Sequence, residues 1–447
     1  MVVGEGCLGL QTQLQLDSTD MAENKQCIRE KLRVLRAELD RYLAAEYGID
    51  QSNIAKKEVY DEKFEQWRQS HQPFHWFVEF YGIMKHGGFD VIIGNPPYVE
   101  YSTVKQEYSV LENAYKTELS GNLYAFCMER FAMLTNTSGV SGLIVPISIV
   151  CTSRMAPLRQ VLYSTYSNLW YNNYDTIPGT LFSGIVQRNT VVLATKDADE
   201  QGCRVYTTRN QKWYVSARSY LFDIVPYMNI GSQSAKLLMP KVSTHIELNI
   251  LAKVQAQRFA ITSYVQRGSN NTLVYKRRWS YFLLFADEIE GIVLPDGSIR
   301  QQQDNKLLTL QSNLDRYVFI SLLSSGLFYF HYSVFSDFRH VNIGDFDAFA
   351  FDYAKLSDTT AHQLSQHGKK LMQSYADNLE WRTCNYIGSI GECQVPFYRQ
   401  GASKPIIDEI DRILAKHYGF TDEELDFIIN YDNKYRVGRD SIESDEE

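Results

Sequence analysis

The segment Phe89-Asp90-Val91-Ile92-Ile93-Gly94-Asn95-Pro96-Pro97-Tyr98 constrains this chain more than any other. A β-branched run that ends in a glycine and a rigid turn is how a buried strand delivers a functional loop at its C-terminal edge. Two consecutive prolines fix φ and remove two backbone donors. The Asn95 side chain and the Pro96 carbonyl are then expected as acceptors facing one point, with Tyr98 beside them as a flat surface. An aromatic amine is a poor nucleophile because its lone pair is delocalised into the ring. Two acceptors gripping its N–H bonds favour the pyramidal, more nucleophilic form, so aimed dipoles and positioning supply the catalysis without a shifted pKa. A base in such a pocket has left its duplex. The plain alternative is a strand ending in a proline-rich turn.

Composition leaves room for this chemistry. With 447 residues, 44% of them hydrophobic, the chain can hold two or three domains. No run approaches the roughly 18 apolar residues of a membrane span, and the first residues lack the basic flank and apolar core of a signal peptide. Seven scattered cysteines without a CxxC pair read as reduced thiols in a cytoplasm, with neither disulfide framework nor zinc site. The net charge of −8 gives no support for a nucleic-acid partner, but residues 401–447 alone carry thirteen acidic against six basic residues, leaving the rest near −1.

The run FDVIIGNPPY resembles the motif of the gamma-class adenine-N6 DNA methyltransferases, whose cofactor is S-adenosylmethionine. HQPFHWFVEF before it, NLY at 122–124 opening the next helix, residues 315–353 and the C-terminal helices resemble the large methylase subunits of restriction-modification systems, over about residues 25–440. The resemblance implies a site-specific adenine-N6 methyltransferase of a restriction-modification or phage-defence system acting on double-stranded DNA, with Asn95, Pro96, Pro97 and Tyr98 as catalytic residues. It implies an α/β fold: a partial Rossmann-like methyltransferase sheet with N-terminal helices, then a mixed α+β target-recognition domain and C-terminal helices. The expected boundaries are 1–75 (helical), 76–200 (catalytic half-domain), 201–400 (recognition), 401–440 (helical) and 441–447 (acidic tail). The family places an aromatic against the flipped base where this chain has Thr195. Phe182 is the substitute, and a core role for it is equally open. Protein-glutamine and some RNA methyltransferases share the motif, and a DNA-recognition fragment without catalysis is the other alternative.

The remaining elements are read from pattern. Ile28, Leu32, Leu35, Leu39 and Leu43 stripe an amphipathic helix, and AKKEVYDEKFEQWRQ gives another. His71 and His75 are four apart, but Pro73 breaks the helix that would aim them at one metal. Tyr101 to Lys116 reads as a mobile loop over the pocket. Next come a helix with Leu123, Phe126, Phe131 and Leu134, a turn at Thr137-Ser138-Gly139, and a strand at 143–145. A helix at 152–165 precedes a strand pair ending at Thr190 to Leu193. Arg267, Lys276, Arg277 and Arg278 interleave with Tyr264, Tyr275, Trp279 and Tyr281, as phosphate gripping and base stacking require; a strand with solvated charges is the alternative. Within 315–353 the pattern reads as a helix, an aromatic strand-like run and a polar loop, with Arg339, His340 and Asn342 as groove contacts. Thr421 and Glu424 form a capping box.

In the gamma-class order a glycine-rich cofactor motif precedes Asn-Pro-Pro-Tyr. GEGCLG at 4–9 follows no strand and is not expected to serve as one. The S-adenosylmethionine half is therefore expected from a separate chain or an upstream domain, and no acidic cluster with a lysine marks a nuclease.

Overall fold

Short-range signals set most elements of the chain, but their grouping crosses long stretches of sequence. The computed structural model describes residues 18–107, 109–182, 184, 186–197, 199–200, 202–223, 225–231, 238–278, 282–386 and 391–436. These fall into two units, within Met1–Ile144, Arg154–Leu169 and Leu193–Cys203 for the first and Val145–Ser153, Trp170–Val192 and Arg204–Glu447 for the second. The fold is mixed α/β with a parallel-containing sheet, helices before it and helices at the end. Among the described residues no single helix is long and apolar enough to cross a membrane.

The first unit opens with α1 (Ser18–Glu46) and α2 (Lys57–His71), the two helices expected from their stripes. Tyr60 and Trp67 of α2 are buried. His71 Nε2 lies 3.2 Å from the Ser109 carbonyl and His75 Nε2 lies 2.7 Å from the Asp40 carboxylate, so each imidazole has its own local partner. Next come β1 (Phe89–Gly94), α3 (Leu123–Leu134), β2 (Thr135–Pro146) and α4 (Ala156–Thr165); β3 (Asn168–Tyr174), most of it in the second unit, and β4 (Asn189–Thr195) follow in the chain. In this unit the strand order is β1-β2-β4, and β1 pairs with β2 in parallel, Val91 opposite Val140 and Gly94 opposite Leu143.

Three expectations are corrected here. First, β1 is not a buried strand: Val91 is 57% and Ile93 78% exposed. Sheet residues alternate faces, and while Ser141 and Leu143 of β2 are buried, Val140 and, on β4, Leu193 are exposed. A Cβ on Gly142 would stand 3.5 Å from Ile93 and 3.4 Å from Leu193, which places these two side chains on one uncovered apolar face. Second, Thr137-Ser138-Gly139 is not a turn before a strand but part of β2. The register jumps from Thr135 opposite Phe89 to Val140 opposite Val91, and the extra residues are held by the Ser138 N–H donating to Asn136 Oδ1 at 3.0 Å. Third, the segment from Tyr101 to Lys116, expected as a mobile loop, is tied down. Tyr101 is buried and its hydroxyl accepts from the Val110 N–H at 2.9 Å, while the Lys116 and Thr117 N–H groups donate to the buried Glu129 carboxylate at 3.0 and 2.9 Å.

In the second unit the strand order is β4-β3-β5-β6, with β5 at Arg204–Thr207 and β6 at Met228–Gly231. After α5 (His245–Gln255) come two small antiparallel sheets. One is β11-β7-β8, from Asn305–Leu310, Asn271–Lys276 and Phe285–Ala286; the other is β10-β9-β13-β12, from Ile299–Arg300, Ile292–Val293, Gly391–Tyr398 and Leu379–Tyr386. The core of this unit is built around α6 (Arg316–Ser324) and α7 (Gly326–Phe335), both almost wholly buried, with α8 (Asp358–Asp377) against α6.

The aromatic run expected as strand-like is thus the helix α7. Being buried on every side, it carries no apolar periodicity to read. Its start is set by Ser325, whose hydroxyl accepts from the Phe328 N–H, and by the Asp411 carboxylate, which accepts from the Gly326 and Leu327 N–H groups at 3.0 and 3.1 Å. The C-terminal helices α9 (Lys404–Tyr418) and α10 (Asp422–Asn430) form as expected, with the Thr421 and Glu424 capping box in place. GEGCLG at 4–9, Trp279, Tyr281 and the acidic tail lie outside the described residues.

Candidate functional site

At the C-terminal end of β1 the chain runs through Asn95, exposed, Pro96, buried, and Pro97, exposed, to a half-buried Tyr98. The Tyr98 hydroxyl donates to the Ile144 carbonyl of the adjacent strand at 2.7 Å, and its ring meets Tyr124 of α3 edge-on at 6.3 Å. Burial pushes the phenol up to about 12, so it stays a neutral donor. Both ends of the turn are therefore tied to the parallel strand pair. The Asn95 side chain makes no hydrogen bond among the described residues.

Beyond Tyr98 the chain is clamped by residues that spacing alone did not single out. The Glu100 carboxylate takes both arms of Arg154, at 2.9 and 2.7 Å, and accepts from Asn122 Nδ2 at 3.1 Å. Asn122 also caps α3, accepting from the Tyr124 N–H at 3.3 Å, and the Leu123 N–H donates to the Val99 carbonyl at 2.9 Å. The Arg154 guanidinium holds the Glu100 carboxyl below the usual carboxylate range. Arg154 is 54 residues from Glu100, so no local signal could have found the pair. The polar asparagine before a run of helix formers was the one readable hint.

The other expected site residues lie in the second unit. Phe182 is partly buried against Tyr174, Leu181 and Trp213. Lys276, Arg277 and Arg278 leave the end of β7, and the chain near 340 returns beside them: the Val341 N–H donates to the Arg277 carbonyl at 2.9 Å, and Arg277 Nη2 donates to Asn342 Oδ1 at 3.2 Å. Arg278 pairs with Asp304 at 3.3 Å. Burial, then Arg277 and Arg278, lowers the His340 pKa, so at neutral pH this ring is an uncharged partner in the group.

Arg339 is exposed with its side chain unbonded among the described residues, whereas Asn342 is engaged, its Nδ2 donating to the His340 carbonyl and its N–H to Asp345 at the start of a short helix. Arg267 is exposed but precedes β7, so the six residues of that strand, about 20 Å, separate it from Lys276. Of the interleaved aromatics, the two described ones are engaged elsewhere: Tyr275 is buried in the core, and the Tyr264 hydroxyl is bonded to the Phe351 carbonyl and the Tyr353 N–H.

Residues 16–175, which include β1, the Asn95 turn and its clamp, match the Eco57I restriction-modification methylase family. A putative type II restriction enzyme and methyltransferase of Methanocaldococcus jannaschii is 29% identical over 125 residues, 28% of this chain and 10% of that protein. Among solved structures, the Type IIL restriction-modification enzyme MmeI in complex with DNA is similar at 11% identity over 74% of this chain and 54% of its own, with a TM-score of 0.42. A nuclease-deletion mutant of the Type ISP enzyme LlaGI with a DNA substrate mimic is similar at 12% identity over 73% and 44%, with a TM-score of 0.34. The chain spans about a tenth of the length of the curated relative.

Proposed function

We propose that this chain carries the base-binding half of a site-specific adenine-N6 DNA methyltransferase of a restriction-modification or phage-defence system. The observation that carries the reading is the Asn95 turn itself, an exposed amide at the end of a parallel strand, followed by a tyrosine whose ring is fixed through its hydroxyl. In this reading Asn95 Oδ1 and the Pro96 carbonyl accept from the adenine amine, Pro97 keeps the turn rigid, and the base stacks on Tyr98. Lys276, Arg277 and Arg278 supply phosphate contacts on duplex DNA, Arg339 reaches the groove, His340 and Asn342 support that face, and Arg267 makes a separate phosphate contact. Phe182 is the candidate second face for the flipped base.

The methyl donor implied by the resemblance is S-adenosylmethionine. Among the described residues no strand, glycine-rich turn and helix precede β1, and in this reading another segment or chain supplies the cradle for that cofactor. The uncovered face at Val91, Ile93, Val140 and Leu193 supports the reading that another segment or chain completes the sheet. The same observation favours a second reading, a DNA-recognition fragment without catalysis.

Calorimetry with S-adenosylmethionine and a methylation assay on plasmid DNA and structured RNA, with and without the completing half, separate the readings. Methylation of plasmid adenine that Asn95→Ala abolishes, with DNA binding retained, is expected. Micromolar cofactor binding by this chain alone would contradict the missing cradle, and methyl transfer to RNA or protein only would overturn the DNA assignment.

A further inference from the structure

We propose that a cavity between the two small sheets of the second unit is a nucleotide-binding site. It encloses about 660 Å³, within the range of pockets that take small organic ligands. Its border carries three cations, Lys276, Arg278 and Arg300, against one carboxylate, Asp304. Arg278 pairs with Asp304, while Lys276 and Arg300 make no ion pair among the described residues. Burial holds the Lys276 ammonium below its ordinary value, as expected for a cation that has lost water without gaining a full counter-charge.

The rest of the lining decides the ligand class. Phe282 and Leu284 are buried, and Phe397 offers a partly exposed ring with the Arg382 guanidinium 3.5 Å from its centre. Gln301, Gln302 and Gln303 follow one another along the rim. An apolar floor with aromatic rings accepts a planar base, and consecutive amides present both donors and acceptors to a base edge. The two unmatched positive charges suit a phosphate monoester, which carries about −1.5 to −2 at neutral pH. A fatty or aryl carboxylate would offset one positive charge and leave the second without a counter-charge.

The ligand has two possible sources, a free mononucleotide or an unstacked nucleotide of a DNA strand. The second rests on the DNA-binding reading above, while the first is independent of it. The test is calorimetry of the full chain carrying Asn95→Ala, which silences the other base site, with deoxyadenosine 5′-monophosphate, deoxyadenosine, inorganic phosphate and a short single strand.

The mononucleotide is expected to bind at least about ten-fold more tightly than the nucleoside or phosphate, since a charge-assisted contact exceeds the 1.4 kcal/mol of one decade. Arg300→Gln, at an exposed position, should weaken it by about the same factor, and Lys276→Gln likewise. Binding of the single strand alone, weakened by Arg300→Gln, supports the strand-borne source. Binding of neither ligand, or binding that Arg300→Gln leaves unchanged, overturns the site. Failure of the methylation assay leaves this titration unaffected, so the two readings fail separately.

Discussion

The Tyr98 hydroxyl donates to the Ile144 carbonyl at 2.7 Å, joining the turn after β1 to the strand beside it. A residue whose ring is read as the stacking surface for a base is thus oriented by its polar tip. The ring plane is set by a backbone group of the sheet, which preorganises the surface before any ligand arrives.

Tyr98→Phe should keep a stacking face but release its anchor. A lost hydrogen bond with a half-buried acceptor left unpaired costs about 1 kcal/mol. The thermal midpoint of the chain should fall by a few degrees, and in a completed enzyme kcat should fall more than KM rises. An unchanged midpoint would mean that the hydroxyl is solvated in solution.

Ile93→Lys tests the uncovered face. At 78% exposure the substitution should change stability by no more than about 0.5 kcal/mol, while lowering self-association measured by light scattering and weakening any completing half. A loss of several kcal/mol in chemical denaturation would show that this face is covered.

Two glycines should respond oppositely to alanine. A Cβ on Gly326 would stand 2.5 Å from Asp411 Oδ2, so Gly326→Ala should destabilise by about 1–3 kcal/mol. Gly344 lies in a helical segment with nothing within 4 Å of the added atom, so Gly344→Ala should be neutral or stabilising by up to about 1 kcal/mol. Denaturant midpoints of the two variants read the contrast.

Asp411 should give stability a pH slope. Burial pushes its carboxyl up to about 7, against the lowering effect of the Leu327 and Gly326 N–H groups and of Lys404 and Arg436. The folded pKa lies above the unfolded one, so the folded chain holds the proton more tightly. The contribution is fully present below about pH 4 and is lost as pH rises towards 7. Asp411→Asn should flatten this part of the slope in unfolding followed from pH 4 to 8. It should also lower stability overall, since its amide would replace an oxygen that accepts from a backbone N–H.

The sequence by itself determined the elements whose causes are local. Proline geometry and a β-branched run place β1 and the turn at Asn95, the stripe from Ile28 to Leu43 places α1, and the Thr421 and Glu424 box places the start of α10. Only the tertiary structure decided what these elements face. The β-branched run of β1 announces a strand but not whether a layer covers it, and Val91 and Ile93 turned out exposed. The aromatic run at 326–335 lacks a polar side, so its helical state rests on Asp411, 85 residues from Gly326, holding its first N–H groups. The Glu100 and Arg154 clamp and the approach of residues 340–342 to Arg277 likewise depend on partners far along the chain. Local torsions and spacing are written in neighbouring residues, whereas burial and ion pairing are set by whichever distant groups the fold brings within a few ångström.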